Sequence, residues 1–155
     1  MTDAKSSFVY VTYIRTTPEK LWRALIEPEF TRQYWAGTHQ VSDWKPGASW
    51  KAMIPDGRVA DSGEIREFDP PKRLVLTWRN EFMPELKAEG HSVLTYELEP
   101  AGSAVKLTLT HEMNRPGSKL IEATSTGWPH LLASLKSLLE TGQPIEETRN
   151  WPEGH

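Results

Sequence analysis

Alternating apolar and polar side chains predict β-strands over much of the chain. Residues 7–15 are β-branched and aromatic, which favours a strand that is apolar on both faces. Residues 73–79, 91–99 and 104–112 alternate as expected when one face of a strand is buried and the other is wet. These three segments therefore belong to a sheet with one covered face.

A hairpin is predicted in the middle of the chain. Pro55-Asp56-Gly57 is a turn signal between two further strand segments, residues 48–54 and 58–68. Gly63 interrupts the second segment and indicates a bulge or the close approach of another backbone. The stretch 80–90 is polar and irregular, so we expect a loop there.

Two short helices are predicted before the hairpin. Thr17 is a favourable N-cap, and Pro18 suits the first helical position. Pro28 ends this helix, and residues 29–35 predict a second one that stops before Gly37.

A longer helix is predicted near the C-terminus, where apolar side chains recur at helical spacing. The stripe consists of Trp128, Leu131, Leu132, Leu135, Leu138 and Leu139. We expect the helix to begin at residues 125–126, because Pro129 then lies in the first turn, where backbone N–H groups have no intrahelical acceptor. Gly142 is suited to the C-terminal cap. Residues 143–155 are polar and predict a loose tail, although Trp151 within it could dock somewhere on the protein.

The order of these elements predicts an α+β fold. Strands joined by hairpins form antiparallel sheets, and an antiparallel sheet with helices gathered on one face is an α+β domain. The C-terminal helix is the predicted element that is long and apolar enough to fill a concave face. We therefore expect a curved antiparallel sheet that grips this helix, with residues 1–142 as a single domain and residues 143–155 as its tail.

Length and charge restrict the partners. A chain of 155 residues is the size of one domain. The net charge is −3 with acidic and basic residues interspersed, which argues against a nucleic-acid partner. No apolar run is long enough to span a membrane, and residues 1–7 lack the apolar stretch of a signal peptide. We therefore expect a cytoplasmic protein with no membrane partner.

Motifs for metal or nucleophilic chemistry are absent from the sequence. The chain has no cysteine, which excludes disulfides and thiolate ligands. His111-Glu112 begins like a zinc-binding His-Glu-x-x-His motif, but Arg115 stands at the position of the second histidine. None of the five histidines has metal-ligand spacing with another. We therefore expect no metal and no cofactor, and we assign no catalytic residue.

Four blocks of sequence resemble a known family. They are residues 17–22, 63–78, 107–111 and 127–128, the last block continuing into the leucine-rich helix. In this order they are similar to the helix-grip, START-like (SRPBCC) domains, and within them to the group named after the C-terminal domain of the activator of the ninety-kilodalton heat-shock protein's ATPase. The resemblance covers residues 7–142.

The resemblance implies a fold more than a function. It implies a curved sheet around one long helix, with a cavity between them. Members of this superfamily include ligand carriers, cyclases and chaperone-linked proteins, so fold alone does not choose among these activities. The chaperone-activating role belongs to proteins with an additional N-terminal domain, so a chaperone partner is the weaker expectation.

Aromatic residues at inward positions make ligand binding our leading hypothesis. Seven tryptophans in one domain indicate either a bulky core or an aromatic-lined cavity. The candidate ligand-binding residues are Tyr34, Trp35, Trp50, Trp78, Tyr96, His111, Trp128 and Leu132. The positions of Tyr34 and Trp35 resemble the family's pocket mouth. Trp50 and Trp78 on strands could equally be core, and core is the favoured interpretation of Trp128. The expected ligand is a small hydrophobic or aromatic molecule.

Catalysis is the alternative hypothesis from a different class. His111 could be a strand-end histidine satisfied by a backbone group or a Trp N–H, a hydrogen-bonding group for a ligand, or a general base. A cyclase or hydratase would use His111 with Glu67 or Tyr96. Glu67 has its own alternative, a salt bridge to Arg73 or Arg79.

A third hypothesis is an interaction module. The first strand carries Val9 and Val11 on the face that need not meet the core. This outer face could pair two copies of the chain as a homodimer or bind a chaperone.

Overall fold

A computed structural model describes residues 5–152; the first four residues of the expected domain and the last three of the expected tail lie outside it. The strands are β1 Ser6–Ile14, β2 His39–Ser42, β3 Ser49–Met53, β4 Val59–Asp69, β5 Arg73–Asn80, β6 Ser92–Ala101 and β7 Ala104–Met113. The helices are α1 Pro18–Ile26, α2 Pro28–Tyr34, α3 Pro84–Lys87 and α4 Lys119–Thr141, and a 3-10 helix follows at Glu146–Thr148.

The strands form one antiparallel sheet that curves around α4. Their order is β1-β7-β6-β5-β4-β3-β2, so β1 and β2 are the edges. Val105, Leu107, Leu109 and His111 of β7 are buried in alternation with half-buried residues, as the sequence pattern predicted. The predicted α+β fold, with a curved antiparallel sheet, two short helices after β1 and a long C-terminal helix, is confirmed.

Three short elements were not predicted: β2, α3 and the 3-10 helix in the expected tail. Strand β2 has only four residues, which is too few to show an alternating pattern of apolar and polar side chains. It pairs with β3. Helix α3 lies in the stretch where we expected a loop. The side-chain oxygen of Asn80 accepts hydrogen bonds from the backbone N–H groups of Phe82 and Met83, which turns the chain into that helix.

Helix α4 begins at Lys119, and the predicted start at residues 125–126 is wrong. Ser118 is the N-cap, and its hydroxyl accepts a hydrogen bond from the N–H of Ile121. The Glu89 carboxylate accepts from the Ser118 hydroxyl at 2.6 Å and from the Lys119 N–H at 2.8 Å. A carboxylate at a helix N-terminus satisfies free N–H groups and complements the helix dipole. This cap comes from a distant part of the chain, so local spacing does not show it.

Pro129 consequently lies inside α4 and not in its first turn. Proline has no N–H, so the backbone hydrogen bond to the residue four positions earlier is lost. The extra length before Pro129 carries the buried residues Leu120 and Ile121, and it brings the Thr124 hydroxyl within 3.3 Å of His111 on β7. At the other end, Gly142 adopts the predicted C-cap, with a φ of 85° and its N–H bonded to the Leu138 carbonyl.

Residues 143–152 form a C-terminal strap that lies against the domain, so the expected loose tail is wrong for this described part. The strap returns along α4, where the Ile145 N–H donates to the Ser134 hydroxyl at 2.8 Å. Its Thr148 carbonyl accepts from the Ala36 N–H at 2.6 Å. The strap therefore connects α4 with the segment that follows α2.

The aromatic end of the strap also has a partner. Trp151 docks edge-on against Phe82, with ring centroids 5.1 Å apart. This contact places the last described residues beside the first half of α4.

Gly63 confirms the predicted close approach of two backbones. A Cβ at this position would lie 1.8 Å from the carbonyl oxygen of Thr77 on β5. The register of β4 against β5 shifts between Ile65 and Glu67, just after the glycine. The irregularity lies between β4, which carries Asp61, and β5, which carries Trp78.

Replacing Gly63 with alanine should therefore lower the free energy of unfolding strongly. The added methyl overlaps backbone that cannot give way, and we expect a loss of about 3 kcal/mol or no folded protein. Gly127 of α4 is the matched control, because a Cβ there meets nothing within 4 Å. Gly127→Ala should gain about 0.5–1 kcal/mol, since alanine favours the helix. Urea unfolding of both variants measures this, and equal stabilities would contradict the close approach.

Candidate functional site

Four tryptophans meet above the inner face of the sheet, and we call Trp35, Trp50, Trp78 and Trp128 the tryptophan cluster. Trp78 is its centre. Its ring stacks on Trp35 with centroids 5.9 Å apart, tilts against Trp50 at 4.9 Å, and meets Trp128 edge-on at 5.6 Å. Offset and edge-to-face arrangements of this kind are the favourable geometries for aromatic pairs.

Each tryptophan reaches the cluster from a different element. Trp78 lies inward on β5 by strand alternation, and Trp50 lies inward on β3, opposite Gly63 of β4. Trp35 is the residue that ends α2. Trp128 lies in the middle of α4, on the face turned to the sheet. The cluster is thus the point at which helices and sheet join.

A chain of hydrogen bonds connects two members of the cluster, Trp128 and Trp78, through neighbouring strands of the sheet. The Trp128 Nε1–H donates to Nδ1 of His111 at 3.1 Å. The other ring nitrogen, Nε2, lies 2.7 Å from the Ser92 hydroxyl, and that hydroxyl donates to the Trp78 carbonyl at 3.1 Å. An indole can only donate, so Nδ1 is the acceptor and the neutral imidazole donates from Nε2. The chain links α4, β7, β6 and β5.

His111 is therefore a buried, neutral residue. Burial lowers its pKa from 6.5 to about 4. Both ring nitrogens have partners, with the Thr124 hydroxyl a further neighbour of Nδ1 at 3.3 Å. This is the arrangement that we considered as a histidine satisfied by a Trp N–H, and it leaves no nitrogen free to take a proton from a substrate.

The residues proposed for catalysis are not brought together. Glu67 is exposed, and its carboxylate pairs with Arg73 at 3.1 Å, which is the salt bridge that we had considered. It does not point inward to His111. Tyr96 is buried, and burial raises the pKa of its phenol. A general acid–base pair made from these residues is therefore absent from this structure.

A groove of about 400 Å³ opens beside the tryptophan cluster. Its walls come from the first half of α4, from α2 and β5, and from the C-terminal strap. The lining residues are Trp35, Trp78, Phe82, Ala123, Thr124, Gly127, Trp128, Leu131 and Pro152. Thr124 is the polar side chain among them, so the lining is almost wholly apolar.

Three of the predicted ligand-binding residues, Trp35, Trp78 and Trp128, line this groove. The other five, Tyr34, Trp50, Tyr96, His111 and Leu132, are buried and do not line it. Their direct contact with a ligand stays a prediction. Tyr34, Trp50 and His111 each contact a tryptophan of the wall.

Two of these five have their polar atoms fully occupied. Tyr34 is not at a pocket mouth, because its hydroxyl is buried and donates to the Ala24 carbonyl at 2.7 Å. The Trp50 indole donates to the Gln40 side chain at 2.9 Å. The sequence marked both as large and inward, but it did not show these partners.

Sequence reasoning missed six lining residues: Phe82, Ala123, Thr124, Gly127, Leu131 and Pro152. Leu131 lies three residues after Trp128 on the same helix, so helical spacing carried a signal for it. Thr124 could be placed on α4 only once the helix was known to begin at Lys119. Pro152 reaches the groove because the strap folds back on the domain, and Phe82 because the chain turns at Asn80. Neither the strap nor this turn has a periodic sequence pattern.

Asp61 was also missed, although strand parity with Gly63 places it inward. It is 8% exposed and lies opposite Ala52 and Asn80 in the sheet. Burial raises its pKa to about 8; the nearby Trp78 N–H opposes this shift and the Glu81 charge adds to it. A carboxylic acid that stays protonated at neutral pH can donate a hydrogen bond.

Neither metal ligation nor a membrane span is found in the described part of the chain. Within residues 5–152, no group of three or more His, Cys, Asp or Glu side chains could hold a metal ion. No helix in the same range is long and apolar enough to cross a bilayer.

The buried histidine gives stability a pH dependence that can be measured. Between pH 6.5 and about 4 the unfolded chain binds a proton at His111 that the folded chain does not. Stability should fall as the pH drops through this range, by on the order of 3 kcal/mol from this residue.

Urea unfolding at both ends of the range tests this expectation. His111→Gln can keep a donor and an acceptor in place, and it should flatten the fall. His91→Gln, which alters an exposed histidine, should leave it unchanged. An identical fall in wild type and His111→Gln would show that His111 is not the group responsible.

Comparison with known proteins agrees with the fold. A protein of Mesorhizobium loti has a TM-score of 0.73 at 26% identity, over 87% of this chain and 97% of that chain. The Aha1 dimer of Colwellia psychrerythraea has a TM-score of 0.71 at 18% identity, over 88% and 98%. DynU16, a putative protein in the dynemicin biosynthetic locus, has a TM-score of 0.70 at 22% identity, over 89% and 48%. The last two are similar in fold alone.

No curated protein sequence matches the chain. The family model described as activator of Hsp90 ATPase homolog 1-like protein matches residues 15–140, which include strands β2 to β7, the whole tryptophan cluster and nearly all of α4. The helix-grip resemblance that the sequence blocks indicated is thereby confirmed, and the chain belongs to the activator of Hsp90 ATPase homolog 1-like family.

Proposed function

We propose that this protein binds a small apolar molecule with an aromatic or other flat ring in the groove beside the tryptophan cluster. The observation that supports this most is the lining, in which Trp35, Trp78, Trp128 and Phe82 surround a volume of about 400 Å³. Ligand sites are commonly concave, mostly apolar and of several hundred cubic ångströms, with few polar groups to set orientation.

The groove is also held in shape before any ligand arrives. Trp128 is fixed by His111, and Trp78 is wedged between Trp35 and Trp50. Aromatic side chains that are already ordered lose little conformational entropy on binding. A rigid aromatic wall therefore favours a planar apolar ligand over a flexible polar one.

Another concavity, of about 440 Å³, lies on the outer face of the sheet around Gly63. Exposed serine, lysine, glutamate and arginine side chains make up much of its lining, and its carboxylate Glu64 already pairs with Arg66. Trp50 also contributes to this lining, but the concavity offers a small ligand less apolar wall than the groove does. The groove is accordingly the better candidate.

The expected cytoplasmic location, with no nucleic-acid or membrane partner, stays a prediction from composition. A chaperone partner stays a prediction, from the family's description and from the apolar outer face of β1. Recognition rather than catalysis is the activity that we propose, because His111 has no free nitrogen for proton transfer.

A second candidate function is self-association through the outer face of β1. Val9 is 58% exposed, Val11 is 45% exposed and Tyr13 is 52% exposed, which makes an apolar row on an edge strand. Large exposed apolar patches commonly mark interaction sites. The relative from Colwellia psychrerythraea is described as a dimer, which suggests a second copy of this chain as the occupant.

Side chains of α4 partly block the free edge of β1. The Lys136 ammonium donates to the Tyr13 carbonyl at 2.5 Å, and the Arg15 N–H donates to Glu140 at 2.8 Å. Capping an edge in this way prevents another strand from pairing there. A second copy should therefore pack face to face on Val9 and Val11, which we call the valine row, and not extend the sheet.

Filling the groove should abolish binding of a small apolar probe. N-phenyl-1-naphthylamine is neutral and fluoresces in apolar surroundings, and we expect saturable binding to the wild type. Ala123→Trp places a large ring in the groove and should weaken binding by about tenfold or more. Thr126→Trp adds the same ring to the same helix at an exposed position outside the lining, and should change affinity by less than about twofold. Equal affinity in both variants would mean that the probe binds elsewhere.

Charging the valine row should abolish a dimer. We expect the wild type to sediment as a dimer and Val9→Lys/Val11→Lys as a monomer, because buried unpaired lysines oppose association. Val41→Lys is the control, since Val41 is 50% exposed on the opposite edge strand. A wild type that is monomeric at high concentration, or a dimer that survives the double substitution, would rule out this surface.

A further inference from the structure

Hydrogen bonds hold the C-terminal strap to the domain as far as Thr148. The Ile145 N–H donates to the Ser134 hydroxyl at 2.8 Å. The Thr148 hydroxyl lies 2.6 Å from that same Ser134 oxygen. The Thr148 carbonyl accepts from the Ala36 N–H at 2.6 Å. The side chain of Thr148 is therefore fixed to α4, and its backbone is fixed to the segment after α2.

Residues 149–152, which we call the strap end, are held in a different way. Within the described part of the chain, no hydrogen bond joins the strap end to an element outside the strap. The Arg149 guanidinium pairs with Glu146, which belongs to the strap itself. The edge-on packing of Trp151 against Phe82, with ring centroids 5.1 Å apart, is an apolar contact. The strap end can therefore leave the domain without breaking a hydrogen bond to it.

The docked position of Trp151 has a cost of its own. Its Nε1–H is buried with no acceptor. Buried polar groups are almost always paired, because an unpaired one has lost its hydrogen bonds to water without replacement. Docking buries the apolar ring, whereas release returns water to the N–H. These two effects oppose each other, so the docked position is favoured less than a fully paired contact would be.

The strap end lies at the groove. Pro152 is one of the lining residues, and Trp151 rests on Phe82, which is another. The hydrogen-bonded part of the strap meets Ala36, next to Trp35 of the lining. The match to the family ends at residue 140, so the family's description does not cover the strap.

We propose that the strap end is a lid on the groove, which turns about Thr148 to admit and to release the ligand. The inference rests on the proposed binding function and concerns how that site opens. With Trp151 docked on Phe82, the lid covers one side of the groove. With Trp151 released, that side is open to solvent. A lid of this kind lets an apolar ligand enter and then slows its escape.

The other walls of the groove are less free to move. Trp128 donates a buried hydrogen bond to His111, and Trp78 is packed between Trp35 and Trp50. Displacing either wall breaks a buried hydrogen bond or separates packed rings. Segments with few buried contacts and no hydrogen bonds to their surroundings open most readily, and the strap end is such a segment.

Hydrogen exchange of the indole groups tests the opening in the wild type. Trp78 and Trp151 each carry a buried Nε1–H with no acceptor, so they differ in the element that carries them and not in hydrogen bonding. After transfer to D₂O, the ¹⁵N-correlated signal of the Trp151 indole should disappear at least about tenfold faster than that of Trp78, because the lid opens and the sheet does not. Equal, slow exchange at both indoles would overturn the inference.

A bound ligand should keep the lid closed. At saturation, N-phenyl-1-naphthylamine should slow the exchange of the Trp151 indole by about fivefold or more, because it binds the closed state more tightly than the open one. An exchange rate that saturating probe leaves unchanged would show that the strap end does not close over the ligand.

Removing the contact with Phe82 should speed the ligand in both directions. Trp151→Ala loses the docked ring, and stopped-flow fluorescence of the same probe should show association and dissociation rate constants that are both raised about fivefold or more, with the dissociation constant changed by less than about threefold. Glu147→Gln alters an exposed carboxylate in the hydrogen-bonded part of the strap and should behave as wild type.

These rate constants separate the lid from the proposed function. If the probe binds but Trp151→Ala leaves both rate constants unchanged, the lid is wrong while the apolar groove stands. If dissociation alone becomes faster, Trp151 is a fixed part of the wall and the inference is overturned. If the probe does not bind to the wild type, the proposed function fails and the lid fails with it.

Discussion

The hydrogen bond from the Trp128 indole to His111 joins the long helix to the sheet, and the arrangement of the groove depends on it. The bond is buried, so removing either partner leaves the other unpaired in an apolar interior, which costs more than the bond itself contributes. It also fixes where the indole ring lies. Through Ser92 the same chain of bonds reaches the backbone of Trp78, so the helix wall and the sheet wall of the groove are held by one network.

This network also decides which chemistry is available. An inward histidine on a strand suggests a general base, but here burial lowers the His111 pKa to about 4 and both nitrogens are engaged. The buried acid Asp61, whose pKa burial raises to about 8, is not among the groove-lining residues. The groove thus presents a rigid and almost wholly apolar wall. A wall of this kind suits the recognition by shape that we propose, which requires no proton transfer.

The spacing of apolar side chains along the sequence predicted which faces of the strands and of α4 are buried. The strand pattern gave the inward positions of Trp78 and His111, and the leucine spacing gave the buried face of α4. It failed where a distant partner decides the outcome. The start of α4 depends on the Glu89 carboxylate, and the strap depends on hydrogen bonds to α4 and to the segment after α2. Groove-lining residues were separated from core residues only by three-dimensional packing: Leu131 lines the groove, whereas its neighbour Leu132 is buried and does not line it.

The seven tryptophans provide their own test of the central claim, that an apolar ligand binds beside the tryptophan cluster. Each indole N–H gives one signal in a ¹⁵N-correlated NMR spectrum, and N-phenyl-1-naphthylamine can be titrated while all are observed. Trp22 and Trp44 pack around Phe68, away from the groove lining, and act as internal controls. We expect the signals of Trp35 and Trp78 to shift saturably while those of Trp22 and Trp44 stay in place. Shifts at Trp22 and Trp44, with Trp35 and Trp78 unaffected, would contradict the account.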